Sequence, residues 1–128
     1  HVASFTGAHV TGMNIDPNQL ESARRFAAGN NLSEKCQFKQ GDLNSIPLPF
    51  ADASLDAVYQ VQVFTYSKDL PALAKDIYRI LKPGCKIACL DWVRLPDYSP
   101  DNSEHAELMK RIKPLIGAIG TPSIEEYE

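Results

Sequence analysis

Apolar residues recur along this chain with two alternating spacings. Short runs with β-branched or alternating apolar residues predict strands, and apolar residues three or four positions apart predict amphipathic helices. The strands are predicted at residues 9–14, 36–42, 55–62 and 85–92. A proline-containing loop at residues 46–53 separates the second and third strands, and helices of ordinary length alternate with the others, so the pattern predicts an α/β fold with a mostly parallel sheet.

One helix is marked by its ends as well as by its spacing. Asp16 and Pro17 are a favoured N-cap and a favoured first helical residue, and Gln19 completes a capping-box pattern. Residues 29–31 can end this helix, since glycine and asparagine tolerate a left-handed backbone. Its expected core-facing residues are Leu20, Ala23, Phe26 and Ala27.

Three further helical segments are predicted. Residues 1–7 are interpreted as the tail of a helix that ends at Gly7, and residues 69–81 as a helix stopped by the KPG turn. Residues 103–113 form a third, which Pro114 ends or kinks. The residues expected on one face are Leu73, Ile77, Ile80 and Leu81 in the second helix, and Ala106, Met109 and Ile112 in the third.

Two polar residues stand where predicted strands end. Asn14 closes one strand and Asp42 closes the next. In open α/β sheets, ligands bind in the crevice outside the carboxyl ends of the strands. The pair therefore indicates one ligand at one sheet edge, with a ribose-and-base shape as the natural candidate. Each residue also has a structural alternative, since Asn14 can stabilise a turn and Asp42 can cap one.

Composition narrows the class of protein. The 128 residues suffice for one domain and are few for a complete α/β enzyme. A hydrophobic content of 44%, a charged content of 23% and a net charge of −3 are typical of a soluble globular protein and argue against a nucleic-acid scaffold. Residues 1–7 lack the features of a signal peptide, and no apolar run approaches the roughly 18 residues of a membrane span.

The cysteines and histidines show no metal or disulfide signature. Cys85 and Cys89 would lie about 13 Å apart on one strand, at about 3.3 Å per residue, which is too far for a disulfide. We expect the three cysteines, Cys36 included, to be small buried residues in a reducing compartment. His9 and His105 have no ligand-like spacing, so no metal is predicted.

Three motifs together carry a family resemblance. GMNIDPNQL at residues 12–20, QGDL at residues 40–43 and RILKPG at residues 79–84 resemble the nucleotide-binding half of a class I S-adenosylmethionine-dependent methyltransferase, which has a Rossmann-like fold. No glycine-rich strand-to-helix turn accompanies them, although the family carries one after its first strand.

A narrower resemblance is to the sterol side-chain (carbon-24) C-methyltransferases. GMNIDPNQL fits a segment of that family, and DIYRILKPG at residues 76–84 nearly repeats another. LDWV at residues 90–93 and NSEH at residues 102–105 are similar to two more. The ordered set covers most of the first 105 residues.

The resemblance implies a set of cofactor-binding residues. Asn14 stands where the family holds the ribose hydroxyls, and its amide can donate and accept at once. Asp42 stands where the family accepts a hydrogen bond from the adenine amino group, with the Leu43 N–H placed to meet a ring nitrogen. Gln62 and Gln19 complete the set, Gln19 being balanced between capping and cofactor contact.

Departures from the sterol family fall where substrate chemistry would be. Where the family has a segment like IEATCHAP, this chain has VQVFTYSK, so Gln62 replaces a glutamate and Tyr66 replaces a histidine. The lost acid removes a charge that could stabilise a cation, whereas Tyr66 either offers an aromatic face or is a partly exposed loop residue. Asp91 keeps a carboxylate, which makes Tyr66 and Asp91 the implied catalytic candidates. We expect Trp92 in the core.

The resemblance implies an enzyme that transfers a methyl group from S-adenosylmethionine to a lipid-like small molecule. A sterol side-chain alkene is the leading acceptor. Two alternatives stay open: a methyltransferase for another small molecule, such as a quinone, and a noncatalytic interaction module on a decayed methyltransferase fold.

The missing motif implies an incomplete domain. We interpret residues 1–128 as a partial methyltransferase domain, incomplete at both ends, with a cofactor-binding core over residues 1–93 and the start of a substrate-side or lid region over residues 94–128. In this family the first strand lies between the strands ending here at Asn14 and Gln62, so those edges would be unpaired. We therefore expect the isolated chain to be inactive and to bind cofactor weakly or not at all.

The resemblance also implies a location. A cytoplasmic protein is expected, peripheral to the endoplasmic reticulum membrane if the substrate is a sterol. Lys110, Arg111 and Lys113 form a basic cluster that could meet a membrane surface or could be a solvated face. Residues 114–123 fit a lid over an oily substrate and fit a packed loop equally well.

Overall fold

The computed structural model describes residues 1–127 and divides them into two compact units, residues 1–49 and residues from 50 onward. Each unit contains one two-stranded parallel sheet. The α/β class and the parallel pairing predicted from the sequence are therefore confirmed. The division falls inside the predicted cofactor-binding core, and the boundary expected near residue 93 stays a prediction.

The first unit contains, in chain order, α1 (Val2–Thr6), β1 (Val10–Asn14), α2 (Pro17–Gly29) and β2 (Cys36–Gln40). In the parallel register of its sheet, Asn14 at the end of β1 lies opposite Gln40 at the end of β2. Gly7 ends α1 in a left-handed conformation with φ at 77°, as the sequence predicts.

Helix α2 begins as expected but buries a narrower face. The Asp16 side chain accepts a hydrogen bond from the Asn18 amide at 2.8 Å, which makes Asp16 the N-cap. Leu20 and Ala27 are buried, whereas Phe26 is 62% exposed, so its expected place in the core is wrong. The helix contacts only β1 and β2 extensively, and two strands cover too little of its circumference to bury the neighbouring position as well.

The second unit contains, in chain order, β3 (Leu55–Val61), a 3-10 turn (Phe64–Tyr66), α3 (Leu70–Ile80), β4 (Leu81–Leu90), α4 (Ser103–Ile116) and a second 3-10 turn (Glu125–Tyr127). Helix α3 is capped by Asp69, whose side chain accepts from the Ala72 amide at 3.0 Å. Leu73, Ile77 and Ile80 are each 1–4% exposed, which confirms three of the four residues predicted on the inward face. The fourth, Leu81, is half-buried and begins β4 instead of ending the helix.

Strand β4 begins four residues earlier than predicted. Leu81 already pairs with Leu55 of β3, and the register then shifts so that Ala57 pairs with Lys86. The KPG residues therefore form an irregular stretch inside β4, where Gly84 takes a left-handed φ of 78°. The helix does stop where expected, but the chain enters the strand directly rather than through a separate turn.

Helix α4 is longer than predicted, because Pro114 does not end it. Proline removes one backbone donor and crowds the preceding turn, but only two more residues follow before the helix ends at Gly117, with φ at 66°. The Gly117 amide donates to the carbonyl of Lys113 and closes the last turn. No residue of α4 is buried, and Ile112 is 45% exposed.

Arg79, the arginine of the RILKPG motif, joins α3 to the loop before β3. Its Nε donates to Asp76 Oδ1 at 2.7 Å, and its Nη1 donates to Asp52 Oδ1 at 2.6 Å and to the Phe50 carbonyl at 2.9 Å. Asp76 is 6% exposed, and a carboxylate buried to that degree needs a partner of opposite charge. The motif is thus explained by structure without any ligand.

Two expectations about burial are wrong. Trp92 is 45% exposed, because it follows the end of β4, beyond the last strand residue that pairs with β3. The three cysteines are free, but Cys36 and Cys85 are only half-buried and Cys89 is exposed. With two strands in each sheet, most strand positions keep one face or one edge open. Within residues 1–127 we find no helix with the length and apolar character needed to span a bilayer.

Candidate functional site

The ends of β1 and β2 are held side by side at one edge of the first sheet. The Gly41 amide donates to the Asn14 carbonyl at 3.0 Å, and Gln40 Nε2 donates to the carbonyl of Ile15 at 3.1 Å. A Cβ on Gly41 would lie 2.7 Å from Met13 Sδ, so the glycine lets the chain pass close to β1. The loop carrying Asp42 and Leu43 therefore starts beside Asn14.

Asn14 and Gln19 form a polar pair at this edge. Asn14 Nδ2 donates to Gln19 Oε1 at 2.8 Å, and Asn14 Oδ1 accepts from the Asp16 amide at 2.9 Å. The predicted capping box is therefore wrong, because the Asp16 amide that Gln19 would cap is already bonded to Asn14. Gln19 is exposed, and its Nε2 group keeps both N–H donors for a ligand.

Asp42 and Leu43 present an acceptor and a donor next to each other. Asp42 Oδ1 accepts from the Asn44 amide at 2.9 Å, and its carbonyl accepts from the Ser45 amide at 3.0 Å, so the residue caps the turn that follows it. Asp42 Oδ2 and the Leu43 N–H have no hydrogen-bond partner within residues 1–127. Both residues are half-buried. Turn capping and ligand binding are therefore compatible at Asp42.

This pair fits the edge of adenine that carries the amino group. The amino group needs an acceptor, which Asp42 Oδ2 offers, and the adjacent ring nitrogen needs a donor, which the Leu43 N–H offers. Asn14 and Gln19 add donors and acceptors suited to ribose hydroxyls. The first unit thus holds four of the five predicted cofactor-binding residues at one sheet edge.

The fifth, Gln62, lies in the second unit just past the end of β3. Its amide donates to the Leu90 carbonyl at 2.7 Å, which closes the ladder between β3 and β4. Gln62 has a left-handed backbone with φ at 55°, rare for a residue with a side chain. Its side chain is exposed and makes no hydrogen bond within the described part of the chain. The strand therefore ends in a sharp turn, and the side-chain amide of Gln62 has no hydrogen-bond partner within residues 1–127.

A buried pair of side chains holds that turn. Gln60 is 8% exposed, accepts from the Val63 amide at 2.8 Å and donates to Asp91 Oδ2 at 3.0 Å. Asp91 Oδ2 also accepts from the Phe64 amide, and its Oδ1 accepts from the Trp92 amide, both at 2.8 Å. Near this pair, the pKa of the Tyr127 hydroxyl is raised, mainly by burial and to a smaller extent by the negative charge of Asp91.

Gln60 is a site residue that the sequence analysis missed. A signal was present, because Gln60 interrupts the apolar residues Tyr59 and Val61 in a predicted strand. In a parallel register Gln60 lies opposite Cys89, and side chains alternate along a strand, so Asp91 faces the same side. The pairing could have been found once the register was known.

Tyr66 faces the end of α4 and is 40% exposed. Its hydroxyl donates to the Ile116 carbonyl at 3.3 Å, and the carbonyl of its neighbour Thr65 accepts from the amides of Ile119 and Gly120 at 2.9 and 3.0 Å. The 3-10 turn therefore fixes the segment that leaves α4. The two candidates on the substrate side therefore lie close together. Tyr66 is part of this 3-10 turn, and Asp91 holds the start of the turn by accepting from the Phe64 amide.

Replacing Gly117 with alanine is expected to destabilise the second unit. The left-handed φ of 66° costs a side-chain-bearing residue about 1–2 kcal/mol, and the new Cβ would lie 3.2 Å from the Tyr66 hydroxyl oxygen. Gly84→Ala is the matched control, because Gly84 has φ at 78° and no atom within 4 Å of the added Cβ. Urea unfolding should show the larger loss for Gly117→Ala, and equal losses would contradict the contact with Tyr66.

Comparison with known proteins decides the family. Residues 1–89 match the model of the methyltransferase domain family. The chain belongs to that family. A sterol 24-C-methyltransferase of Gibberella zeae is 36% identical over 107 residues, which are 84% of this chain and 28% of that protein. A sterol 4-C-methyltransferase of Caenorhabditis elegans is 34% identical over 123 residues, which are 96% of this chain and 35% of that protein.

The solved structures agree on the fold. The geranyl diphosphate C-methyltransferase of Streptomyces coelicolor superposes with a TM-score of 0.83 at 18% identity, covering 98% of this chain and 43% of that one. The methyltransferase domain described here thus has the Rossmann-like fold that the sequence predicts, and it spans about a third of the length of the sterol methyltransferases it matches.

Proposed function

We propose that this methyltransferase domain contributes to methyl transfer from S-adenosylmethionine to a sterol. The acceptor at Asp42 Oδ2 and the donor at the Leu43 N–H carry the cofactor part of the proposal, because neither has a hydrogen-bond partner within residues 1–127. Identities of 34–36% to sterol methyltransferases over most of the chain support the sterol part. The relatives' names give carbon 24 and carbon 4 as acceptor positions, and the resemblance of the quoted motifs favours carbon 24.

The residues of this chain would bind and orient the cofactor rather than react with it. Asp42 and Leu43 would hold the adenine amino edge, and Asn14 and Gln19 the ribose hydroxyls. Gln62, at the end of β3, is a further proposed cofactor contact. S-adenosylmethionine supplies a methyl group on a positively charged sulfur, so positioning and removal of water are the main tasks left to the protein.

On the substrate side, Tyr66 is the candidate with a suitable exposed face. Methylation of an alkene forms a carbon–carbon bond, breaks the sulfur–methyl bond and leaves a carbocation on the acceptor, which then loses a proton to a base. An aromatic ring can stabilise a nearby cation, and the Tyr66 hydroxyl is anchored to the backbone at Ile116. Asp91 was predicted as a second catalytic residue, but three hydrogen bonds already occupy its carboxylate.

A methyl-transfer assay tests this proposal. The full product of the gene that encodes this chain is incubated with isotopically labelled S-adenosylmethionine and either a sterol with a side-chain double bond or a quinone lacking one methyl group. Label in the sterol alone is expected. Label in the quinone alone would replace the sterol proposal with the alternative methyltransferase. No label in either, with no binding of S-adenosylmethionine, would favour a noncatalytic module.

A peripheral membrane location is part of the proposal, and α4 supports it. Leu108, Ile112 and Leu115 recur at helical spacing and are 45%, 45% and 87% exposed, with Lys110 and Arg111 exposed beside them. Such a helix can lie in the surface of an anionic bilayer, which for a sterol enzyme would be the cytoplasmic face of the endoplasmic reticulum. Cosedimentation with anionic vesicles is expected, reduced in Leu115→Ser. Equal recovery with neutral and anionic vesicles, unchanged by Leu115→Ser, would contradict it.

A further inference from the structure

We propose that Gln60 and Asp91 form a bracket that positions residues 62–66, and that Asp91 is a positioning residue rather than the base of the reaction. The inference rests on the proposed function, because it concerns the placement of Gln62 against the cofactor and of Tyr66 against the substrate. It assigns a role to Gln60 and changes the role that the sequence implies for Asp91.

The bracket replaces the hydrogen bonds that the sheet stops providing. The ladder between β3 and β4 ends at Val61 and Leu90, with one further bond from the Gln62 amide to the Leu90 carbonyl. The next two amides along the chain donate to side chains instead, Val63 to Gln60 and Phe64 to Asp91. Both bonds are 2.8 Å long.

The two side chains also hold each other. Gln60 Nε2 donates to Asp91 Oδ2 at 3.0 Å, so a residue within β3 and a residue just beyond β4 are joined across the end of the ladder. Gln60 is 8% exposed and Asp91 is half-buried. A buried network in which every bond is made fixes a single arrangement, and a partly broken one is costly.

The bracket acts where the backbone of the turn is strained. Gln62 adopts a left-handed conformation that a side-chain-bearing residue enters only when its surroundings require it. The bracket fixes the backbone directly after Gln62 and directly before the 3-10 turn with Tyr66. Both proposed contacts of the second unit therefore depend on the same two side chains.

The hydrogen bonds of Asp91 use most of the acceptor positions of its carboxylate. Its Oδ2 accepts from Gln60 and from the Phe64 amide, and its Oδ1 accepts from the Trp92 amide. A carboxylate has about four acceptor positions, and donors of this chain already take three of them in Asp91. The negative charge of Asp91 thus holds the Gln60 side chain and the Phe64 and Trp92 amides in place.

An exchange of the two side-chain types tests the bracket. In the full gene product, Gln60→Glu places a second carboxylate against Asp91, and Asp91→Asn removes the charge. In the double variant Gln60→Glu with Asp91→Asn, the amide at 91 donates to the carboxylate at 60, which keeps an oxygen for the Val63 amide. The Phe64 amide loses its acceptor, because Asp91 Oδ2 accepts from both Gln60 and Phe64. Gln37→Glu is the matched control, because Gln37 is an exposed strand residue with no side-chain hydrogen bond in the described chain.

The expected result is a loss that the exchange partly reverses. Gln60→Glu should lower kcat/KM for the sterol by about ten- to a hundredfold, the scale of misplacing reactive groups by about 1 Å, and the amides of Val63 and Phe64 should exchange faster with solvent. The double variant should recover the amide protection of Val63, but not that of Phe64, and should raise kcat above that of Gln60→Glu. Gln37→Glu should change neither quantity.

Two results would overturn the inference. An Asp91→Asn variant that loses much more kcat than Gln60→Glu, at an equal loss of amide protection, would show that the Asp91 carboxylate acts directly on the substrate. A Gln60→Glu variant with wild-type kcat/KM and amide protection would show that the bracket positions nothing. If the unsubstituted protein transfers no methyl group, the proposed function fails, whereas amide exchange in the same variants still reports whether the bracket holds the turn.

Discussion

Replacing Asp42 with alanine is expected to weaken the binding of S-adenosylmethionine to the full gene product by about 1–3 kcal/mol. That is a loss of roughly 5- to 150-fold in affinity, since each 1.4 kcal/mol is a factor of about ten. The reason is that Asp42 Oδ2 has no partner in residues 1–127 and would accept from the adenine amino group, which alanine would leave unpaired. Titration calorimetry of the two proteins measures the difference directly.

A second substitution separates ligand binding from turn capping. Asp42 Oδ1 accepts from the Asn44 amide at 2.9 Å, so alanine also weakens a turn. Asp42→Asn keeps an oxygen for that amide and turns an N–H donor toward the ligand, where the adenine amino group is itself a donor. We expect Asp42→Asn to lose affinity with little change in unfolding temperature. Wild-type affinity in this variant would contradict the assignment of Asp42 to the adenine.

Replacing Leu73 with alanine is expected to cause a large loss of stability, about 2–5 kcal/mol. Leu73 is 1% exposed and is among the largest fully buried side chains, on the face of α3 that also buries Ile77 and Ile80. Its removal leaves a cavity that the short helix cannot close. Urea unfolding followed by circular dichroism gives the change in the free energy of unfolding.

The chain offers a matched control for this substitution. Leu115 is 87% exposed on α4, so Leu115→Ala removes the same atoms from a site that buries almost none of them. Its cost should stay within about 0.5 kcal/mol, as for ordinary surface changes. A loss below about 1 kcal/mol for Leu73→Ala would mean that α3 does not pack as described.

The elements of the fold were predictable where local rules act alone. Asp16 caps α2 because its side chain reaches a following amide, and Gly7 ends α1 because glycine accepts a left-handed backbone. The end of α4 at Gly117, rather than at Pro114, was not predicted. The early start of β4 was not predictable, because the pairing of Leu81 with Leu55 is a contact between residues 26 positions apart. The prediction that Phe26 is buried was wrong for a related reason, since helical spacing does not tell how many strands cover a helix.

The residues of the candidate site likewise divide into those that local sequence patterns predict and those that depend on contacts between strands. Asn14 and Asp42 were found because both follow strand ends, and the structure holds those ends together through the Gly41 amide. Gln60 was missed because its partner lies beyond the end of another strand. The positioning role that we propose for Asp91 could not be predicted, because the motif shows a carboxylate but not the three donors around it. Contacts between residues a few positions apart can be predicted from sequence, whereas contacts between strands can be predicted only when the pairing register is known.

The most direct test is the position of the nucleoside in a crystal structure of the full gene product with S-adenosylhomocysteine. We expect the adenine amino nitrogen within hydrogen-bond distance of the Asp42 carboxylate, and the ribose hydroxyls within reach of Asn14 and Gln19. A nucleoside bound elsewhere, for example in the open groove beside α2 lined by Arg24, Ser33 and Phe38, would contradict the proposed site.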